Sequence, residues 1–194
     1  MQNLPISREQ ALKLLKRYPQ TEADFNHYLE SEAVMRKLAE KIREDAEYYG
    51  MLGLLHDIDW SLTKENTKEH LTKAPEILKK AGFDQKFVDI IISHGYGFDC
   101  AGLKDKKRTK KIEHALAASE TITGLIHAYT LMRGKKISDM EVSGLKKKFK
   151  DKAFAAGCNR EIISEIENLG ITLDEFFEIA IEGIKNIKDY VGLS

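Results

Sequence analysis

Cysteine, proline and tryptophan are all scarce in this chain of 194 residues, with two, three and one respectively. Two cysteines, Cys100 and Cys158, are too few for a disulfide scaffold. They form no C-x-x-C pair, so they do not indicate structural zinc or a redox site. The scarcity of proline leaves long stretches in which a helix is not interrupted.

Neither sign of charge is in excess, because 31 basic residues balance 31 acidic ones. A general nucleic-acid-binding protein usually carries a basic excess, so nucleic acid is not an expected partner. No apolar run approaches the roughly 18 residues of a membrane span, and the first residues lack the basic-then-apolar layout of a secretory signal. We therefore expect a reduced, cytoplasmic protein without a membrane partner, and leave its oligomeric state open.

Hydrophobic residues recur with the period of an α-helix, and the β-branched residues do not alternate with polar ones. The sequence thus predicts an all-α bundle of about nine or ten helices, in a single domain over 1–194. A loop rich in glycine and charge is expected over 95–108. Helices are expected over 8–18, 22–45, 46–57, 68–81, 84–94, 109–133, 138–155, 159–169 and 172–190.

Some polar residues occupy the apolar faces of these predicted helices. His27 lies seven residues before Val34 and eleven before Leu38, so it faces the core. His94 ends the apolar stripe of the helix over 84–94. A single inward histidine is more often a core residue with satisfied hydrogen bonds than a metal ligand, so neither histidine alone indicates a site.

Glu120 is the only charged residue in the stretch "ALAASETITGLIHA". An ionised carboxylate in such an apolar helix must be paired, bound to a cation, or neutralised by a raised pKa. A lysine or arginine from another helix would satisfy it as well as a metal ion would.

The stretch "GLLHDIDW" carries an apolar run directly into His56 and Asp57. Adjacent residues on a helix diverge by about 100°, so these two cannot act like the i, i+4 histidine pair of a zinc protease. They can supply two ligands at one helix end if other helices supply the rest. Inward-facing donors of the right type are present at His27, His70, His94 and Glu120.

The order His27, His56-Asp57 and Glu120 resembles the H…HD…D signature of the HD-domain metal-dependent phosphohydrolases. His70 followed by "APEILKKAGFDQKFVDIIISH" resembles the middle of these domains, and "SETITGLIHA" and "KKKFKDKAFAAGCNRE" resemble the later part of a bacterial subgroup of uncharacterised HD hydrolases. The similarity covers roughly residues 20–185. Two positions depart from the pattern: Glu120 replaces the usual aspartate, and Gly95 follows His94 where two-metal members often carry paired histidines.

This resemblance implies a divalent metal ion (Mn, Fe, Co, Ni, Zn or Mg) held by His27, His56, Asp57 and Glu120. Metal-activated water would hydrolyse a small phosphorylated substrate, with a nucleotide as one candidate. Asp57, His70 and His94 are the predicted catalytic residues, and the two histidines would hold a second metal, orient substrate or carry a proton.

The alternative to an enzyme is a non-catalytic HD module with a signalling or interaction role. The glutamate at position 120 supports this alternative, whereas the retention of so many inward histidines speaks against it. Asp59 is either a hydrogen-bond partner of a ligating imidazole or an N-cap or solvated turn residue.

One basic cluster has either a phosphate-attracting or a merely solvated role, and it consists of Lys104, Lys106, Lys107, Arg108, Lys110 and Lys111. A second basic cluster lies in the stretch that resembles the bacterial subgroup, and it consists of Lys146, Lys147, Lys148, Lys150 and Lys152. His114 and His127 are expected to be structural or exposed.

Overall fold

The computed structural model describes residues 3–194, and every regular element in this range is helical. It contains ten α-helices, nine of them with at least five residues, which confirms the predicted all-α bundle. The α-helices are α1 (Arg8–Leu15), α2 (Glu22–Ile42), α3 (Ala46–Leu55), α4 (Trp60–Thr63), α5 (Ala74–Lys80), α6 (Gln85–Ser93), α7 (Lys111–Met132), α8 (Val142–Lys150), α9 (Arg160–Ser164) and α10 (Leu173–Lys185). Short 3₁₀ segments cover Thr67–Glu69, Glu165–Leu169 and Lys188–Tyr190.

Helix α2 is the centre of the bundle and packs against α3, α7 and α10. Its contact with α3 is very close, because a Cβ atom added at Gly53 would lie 2.5 Å from the carbonyl oxygen of Ser31. Glycine at this position therefore lets the two backbones approach, which brings α2, the helix that contains His27, against α3, the helix that ends just before His56. Within the described residues, no helix is long and apolar enough to cross a membrane.

Polar side chains cap the N-termini of three helices. Ser7 and Gln10 form a complete capping box at α1, and Thr172 does the same at α10 with a glutamate as its partner. The side chain of Asn159 accepts hydrogen bonds from two backbone amides at the start of α9. Each side chain satisfies amide groups that the helix itself leaves unpaired.

The segment around His70 is not the continuous helix that was predicted over 68–81. A 3₁₀ turn ends at Glu69 and α5 begins only at Ala74. Between them Leu71 has a positive φ of 69°, which a right-handed helix does not allow. Asp59 holds this bend in place, because its carboxylate accepts hydrogen bonds from the backbone amides of residues 71, 73 and 74.

The predicted helix over 138–155 is also shorter, since α8 ends at Lys150. The following loop is organised by Arg160, whose guanidinium donates hydrogen bonds to six backbone carbonyl groups between residues 148 and 158. These bonds satisfy carbonyl groups that a helix would otherwise have satisfied. They give a physical account of part of the stretch "KKKFKDKAFAAGCNRE".

Candidate metal centre

Five side chains from four separate segments converge at one place in the bundle. They form two groups of possible metal ligands that share one member, Asp57. The first group is His27, His56 and Asp57, and the second is Asp57, His70 and His94. His27 comes from α2, His56 and Asp57 from the end of α3, His70 from the bend before α5, and His94 from the end of α6.

The two groups use opposite oxygens of the Asp57 carboxylate. Nε2 of His56 lies 3.5 Å from Oδ2, and Nε2 of His27 lies 3.9 Å from the same oxygen. Nε2 of His94 lies 3.1 Å from Oδ1, and Nε2 of His70 lies 3.2 Å from it. One carboxylate therefore faces two pairs of imidazoles.

The backbone fixes the orientation of two of these imidazoles. Nδ1 of His56 donates to the carbonyl of Gly53 at 2.8 Å, and Nδ1 of His94 donates to the carbonyl of Ile91 at 2.7 Å. A carbonyl can only accept, so each Nδ1 carries the proton and the Nε2 of a neutral ring keeps a free lone pair. In both rings that lone pair is directed at the Asp57 cluster.

His27 is oriented in the same way by a threonine of α7. The Thr123 hydroxyl donates to the carbonyl of Glu120 at 2.7 Å, so it accepts from Nδ1 of His27 at 2.9 Å. The Nε2 lone pair of His27 then points to the cluster. Sequence reasoning missed Thr123, although its place three residues after Glu120, on the same face of the helix, was a usable signal.

The spacing of the ligand atoms fits a bound divalent ion. Nε2 of His27 and Nε2 of His56 are 3.0 Å apart, and the corresponding atoms of His70 and His94 are 3.2 Å apart. Two ligands at about 2.1 Å from one ion, at angles of about 90–110°, are separated by about 3.0–3.4 Å. Nitrogen and oxygen donors without sulfur also suit the divalent metals named above.

His56 is wholly buried, and this burial lowers its pKa to about 3. A buried imidazole that stays neutral at physiological pH has its lone pair available for a metal ion. The charge state of His56 therefore agrees with the role of a ligand.

His70 has the opposite electrostatic environment. Burial lowers its pKa, but the carboxylates of Asp57 and Asp59 outweigh this effect and raise the pKa to about 10. Burial raises the pKa of the Asp57 carboxyl, but the imidazoles of the cluster outweigh this effect and hold its pKa well below the usual range. In the metal-free chain His70 is therefore a cation that rests against the Asp57 anion.

Asp59 is completely buried and is not a solvated turn residue. Besides the three backbone amides of the bend, its Oδ1 lies 3.3 Å from Nδ1 of His70, outside regular hydrogen-bond geometry. The carboxylate thus holds the start of α5 and contacts a predicted ligand at the same time. The predicted N-cap role is not observed, because the Asp59 side chain makes no capping hydrogen bond at the start of α4. Its contact with His70 places it beside a predicted ligand without a regular hydrogen bond.

Glu120 lies on α7 with its Oε1 accepting a hydrogen bond of 2.5 Å from the Thr121 hydroxyl. Burial raises its pKa, although nearby His94 and His27 act in the opposite direction. Within the described residues it belongs to neither ligand group, and no lysine or arginine forms an ion pair with it. Its metal-ligand role stays a prediction, while pairing with a basic residue is excluded in this structure.

The first basic cluster contains two different kinds of side chain. Its five lysines are exposed, and Lys110 pairs with Glu113 at 3.0 Å. Arg108 is instead buried and pairs with Glu165, so it is not free to attract a phosphate. His114 and His127 are structural, since each pairs with a glutamate of another helix or 3₁₀ segment.

A family model described as HD domain matches residues 24–126, which is more than half of the chain. The matched range includes both ligand groups and Glu120. No curated protein and no solved structure matches the chain. Together with the all-helical fold and the shared aspartate between two pairs of histidines, the match shows that this chain belongs to the HD-domain metal-dependent phosphohydrolase superfamily.

Proposed function

We propose that this protein hydrolyses a phosphoester with the help of two divalent metal ions, one in each ligand group. The observation that carries the proposal is the set of four imidazole Nε2 atoms around the single carboxylate of Asp57. A structural histidine cluster has no need to direct four imidazole nitrogens at one anion. The HD-domain match supports a hydrolase, and the phosphoester is the substrate class that we add.

His27, His56 and Asp57 would hold one ion, and Asp57, His70 and His94 the other, with Glu120 as a further ligand. A bound divalent ion supplies a water molecule of lowered pKa and polarises a phosphoryl oxygen. The chain itself provides rings that are already oriented by Gly53, Ile91 and Thr123, so little ordering is required when a ligand arrives.

The second ion is supported by the contacts of His70 and His94, although Gly95 follows His94 in the sequence. The three ligand atoms of this group are separated by 3.1 Å, 3.2 Å and 3.2 Å. This nearly equilateral arrangement suits a common ion better than the looser first group does. Two ions about 3.5–4 Å apart are a common arrangement in enzymes that cleave phosphate esters.

Trp60 makes a nucleotide a reasonable candidate for the substrate. Its partly buried ring is nearly perpendicular to the ring of His70, at 5.3 Å between ring centroids. An aromatic side chain next to a metal centre can stack on a base. Trp60→Leu should then raise KM for nucleotides and leave KM for a small aryl phosphate unchanged, whereas Trp60→Phe should retain both.

The test is hydrolysis of a panel of nucleotides and simple phosphoesters by protein loaded with Mn, Co or Ni. Activity should disappear with a chelator and return with metal. Asp57→Ala should abolish activity, since both ligand groups lose their shared anion, while the exposed control Asp105→Ala should keep it.

Two outcomes would contradict the proposal. Activity that survives both chelation and Asp57→Ala would belong to a contaminant or to different chemistry. Folded protein that binds metal but hydrolyses no phosphoester would instead be the non-catalytic HD module.

A further inference from the structure

Arg108 is a buried cation that the proposed reaction does not use. Its side chain is 7% exposed, and its guanidinium forms a bidentate pair with Glu165 through Nε at 2.6 Å and Nη2 at 2.7 Å. The remaining nitrogen, Nη1, faces away from this carboxylate. The contacts of Nη1 connect Arg108 to the candidate metal centre.

Nη1 donates to three backbone carbonyl groups within four residues at and after the end of α6. It lies 3.0 Å from the carbonyl of Ser93, 3.2 Å from that of His94 and 3.0 Å from that of Tyr96. The last carbonyl groups of a helix have no partner within the helix, and a cation at this end is favourable. One nitrogen therefore holds the backbone on both sides of His94 and at His94 itself.

Glu165 in turn fixes Arg108. It belongs to the 3₁₀ segment after α9 and also accepts a hydrogen bond of 2.6 Å from Nδ1 of His114 on α7. The chain of contacts runs from α7 through Glu165 and Arg108 to the backbone of His94. One end of this chain of contacts is the backbone carbonyl of His94, which is itself a predicted ligand.

We propose that Arg108 is a positioning residue for His94, held by Glu165, and that it sets the affinity of the second ligand group for its metal ion. This inference rests on the proposed two-ion function. Lysine cannot replace arginine here, because its single ammonium cannot serve a bidentate carboxylate and three carbonyl groups in two directions. The role differs from general stabilisation, because only the group that contains His94 should be affected.

The first experiment is titration of metal-free protein with Mn²⁺, followed by calorimetry and by electron paramagnetic resonance. Wild-type protein should bind two ions and show the spectrum of a coupled pair. Arg108→Lys should keep the first ion, weaken the second about 10–100-fold, as is typical for partners of metal ligands, and show an uncoupled spectrum. Glu165→Gln should act in the same direction and serves as the second variant if Arg108→Lys does not fold.

Arg36→Lys is the matched control. Arg36 also forms charge pairs with two glutamates, Glu32 and Glu47, but these pairs join α2 to α3 and do not involve α6. Its loss should lower stability without a selective effect on the second ion. Two ions bound with unchanged affinity in Arg108→Lys would overturn the inference and leave the two-ion function intact.

A second readout does not depend on metal. In ¹⁵N-histidine-labelled, metal-free protein, the Nδ1 proton of His94 is protected by its bond to the Ile91 carbonyl. Arg108→Lys should accelerate its exchange with solvent by about tenfold or more, and Arg36→Lys should not. Binding of a single ion by wild-type protein would refute the two-ion proposal. Unchanged exchange of the His94 proton in Arg108→Lys would separately refute the positioning of His94 by Arg108.

Discussion

The two ligand groups should differ in their response to pH, because one contains His70, whose imidazole holds a proton strongly, and the other contains the neutral His56. In metal-free protein the pKa of His70 is raised to about 10: burial lowers it, but Asp57 and Asp59 raise it more. Burial lowers the pKa of His56 to about 3. An ion that enters the His70 group must displace a proton, whereas an ion in the other group displaces none from His56.

The size of the effect follows from this difference. The raised pKa of His70 favours the protonated, metal-free form of its group at low pH. The advantage of this form over the metal-bound form falls as the pH rises towards 10. Between pH 6.5 and pH 8.5 His70 stays protonated, so the apparent Kd of its ion should fall about tenfold per pH unit. Over the whole interval this amounts to about 100-fold, or about 2.7 kcal/mol.

The assay is an anaerobic Mn²⁺ titration by calorimetry and electron paramagnetic resonance at pH 6.5, 7.5 and 8.5. Repeating it in buffers of different ionisation enthalpy counts the protons released, and the His70 group should release about one. His70→Asn is the control and should retain only the ion of the His27–His56 group. Equal pH dependence of both ions, or a steeply pH-dependent ion in His70→Asn, would refute the reasoning.

Substitutions at three positions, with one control at a fourth, test individual contacts. Metal content, measured by mass spectrometry, should be kept or improved in Glu120→Asp and lowered in Glu120→Ala. An alanine variant that binds as much metal as the parent would remove Glu120 from the ligand set. Asp59→Asn should lower the free energy of unfolding in urea by about 1–3 kcal/mol, because an amide cannot satisfy the three backbone amides equally; unchanged stability would contradict this. Gly53→Ala should cost about 1–3 kcal/mol, since its Cβ would meet a carbonyl oxygen of α2. Gly157→Ala, with nothing within 4 Å of its Cβ, should change the free energy of unfolding by less than about 0.5 kcal/mol in the same urea unfolding assay. Equal effects of the two substitutions would disprove the close approach.

The helical period and the apolar stripes were sufficient to predict much of the site. His27 and His94 were placed on inward faces by their spacing from apolar neighbours, and the structure buries His94 and brings both to Asp57. The dipeptide His56-Asp57 was expected at the end of a helix, and α3 ends at Leu55. These features depend on local periodicity, which a single sequence contains.

Features that depend on distant contacts were missed. The sequence predicts His70 within a helix, but Asp59 bends the chain there. Its carboxylate accepts hydrogen bonds from backbone amides that lie 12 to 15 residues further along the chain. Arg108 is predicted, with the lysines of its cluster, either to attract phosphate or to be merely solvated, because nothing in the local pattern shows that Glu165 lies beside it. Such bonds between a side chain and a remote backbone leave no periodic signal, so only the fold reveals them.

The facing nitrogen atoms of His27 and His56 affect how long the protein survives as well as what it does. Without an ion, these two atoms lie 3.0 Å apart in the folded chain, a spacing that suits two ligands of one ion, whereas the unfolded chain offers no such preformed pair. An ion that binds only the folded chain adds about 2.7 kcal/mol of stability at 100 times its Kd. Chains made while metal is scarce would open more often and be lost to proteases sooner. The supply of metal would then govern how much of the protein accumulates, besides how much of it is active.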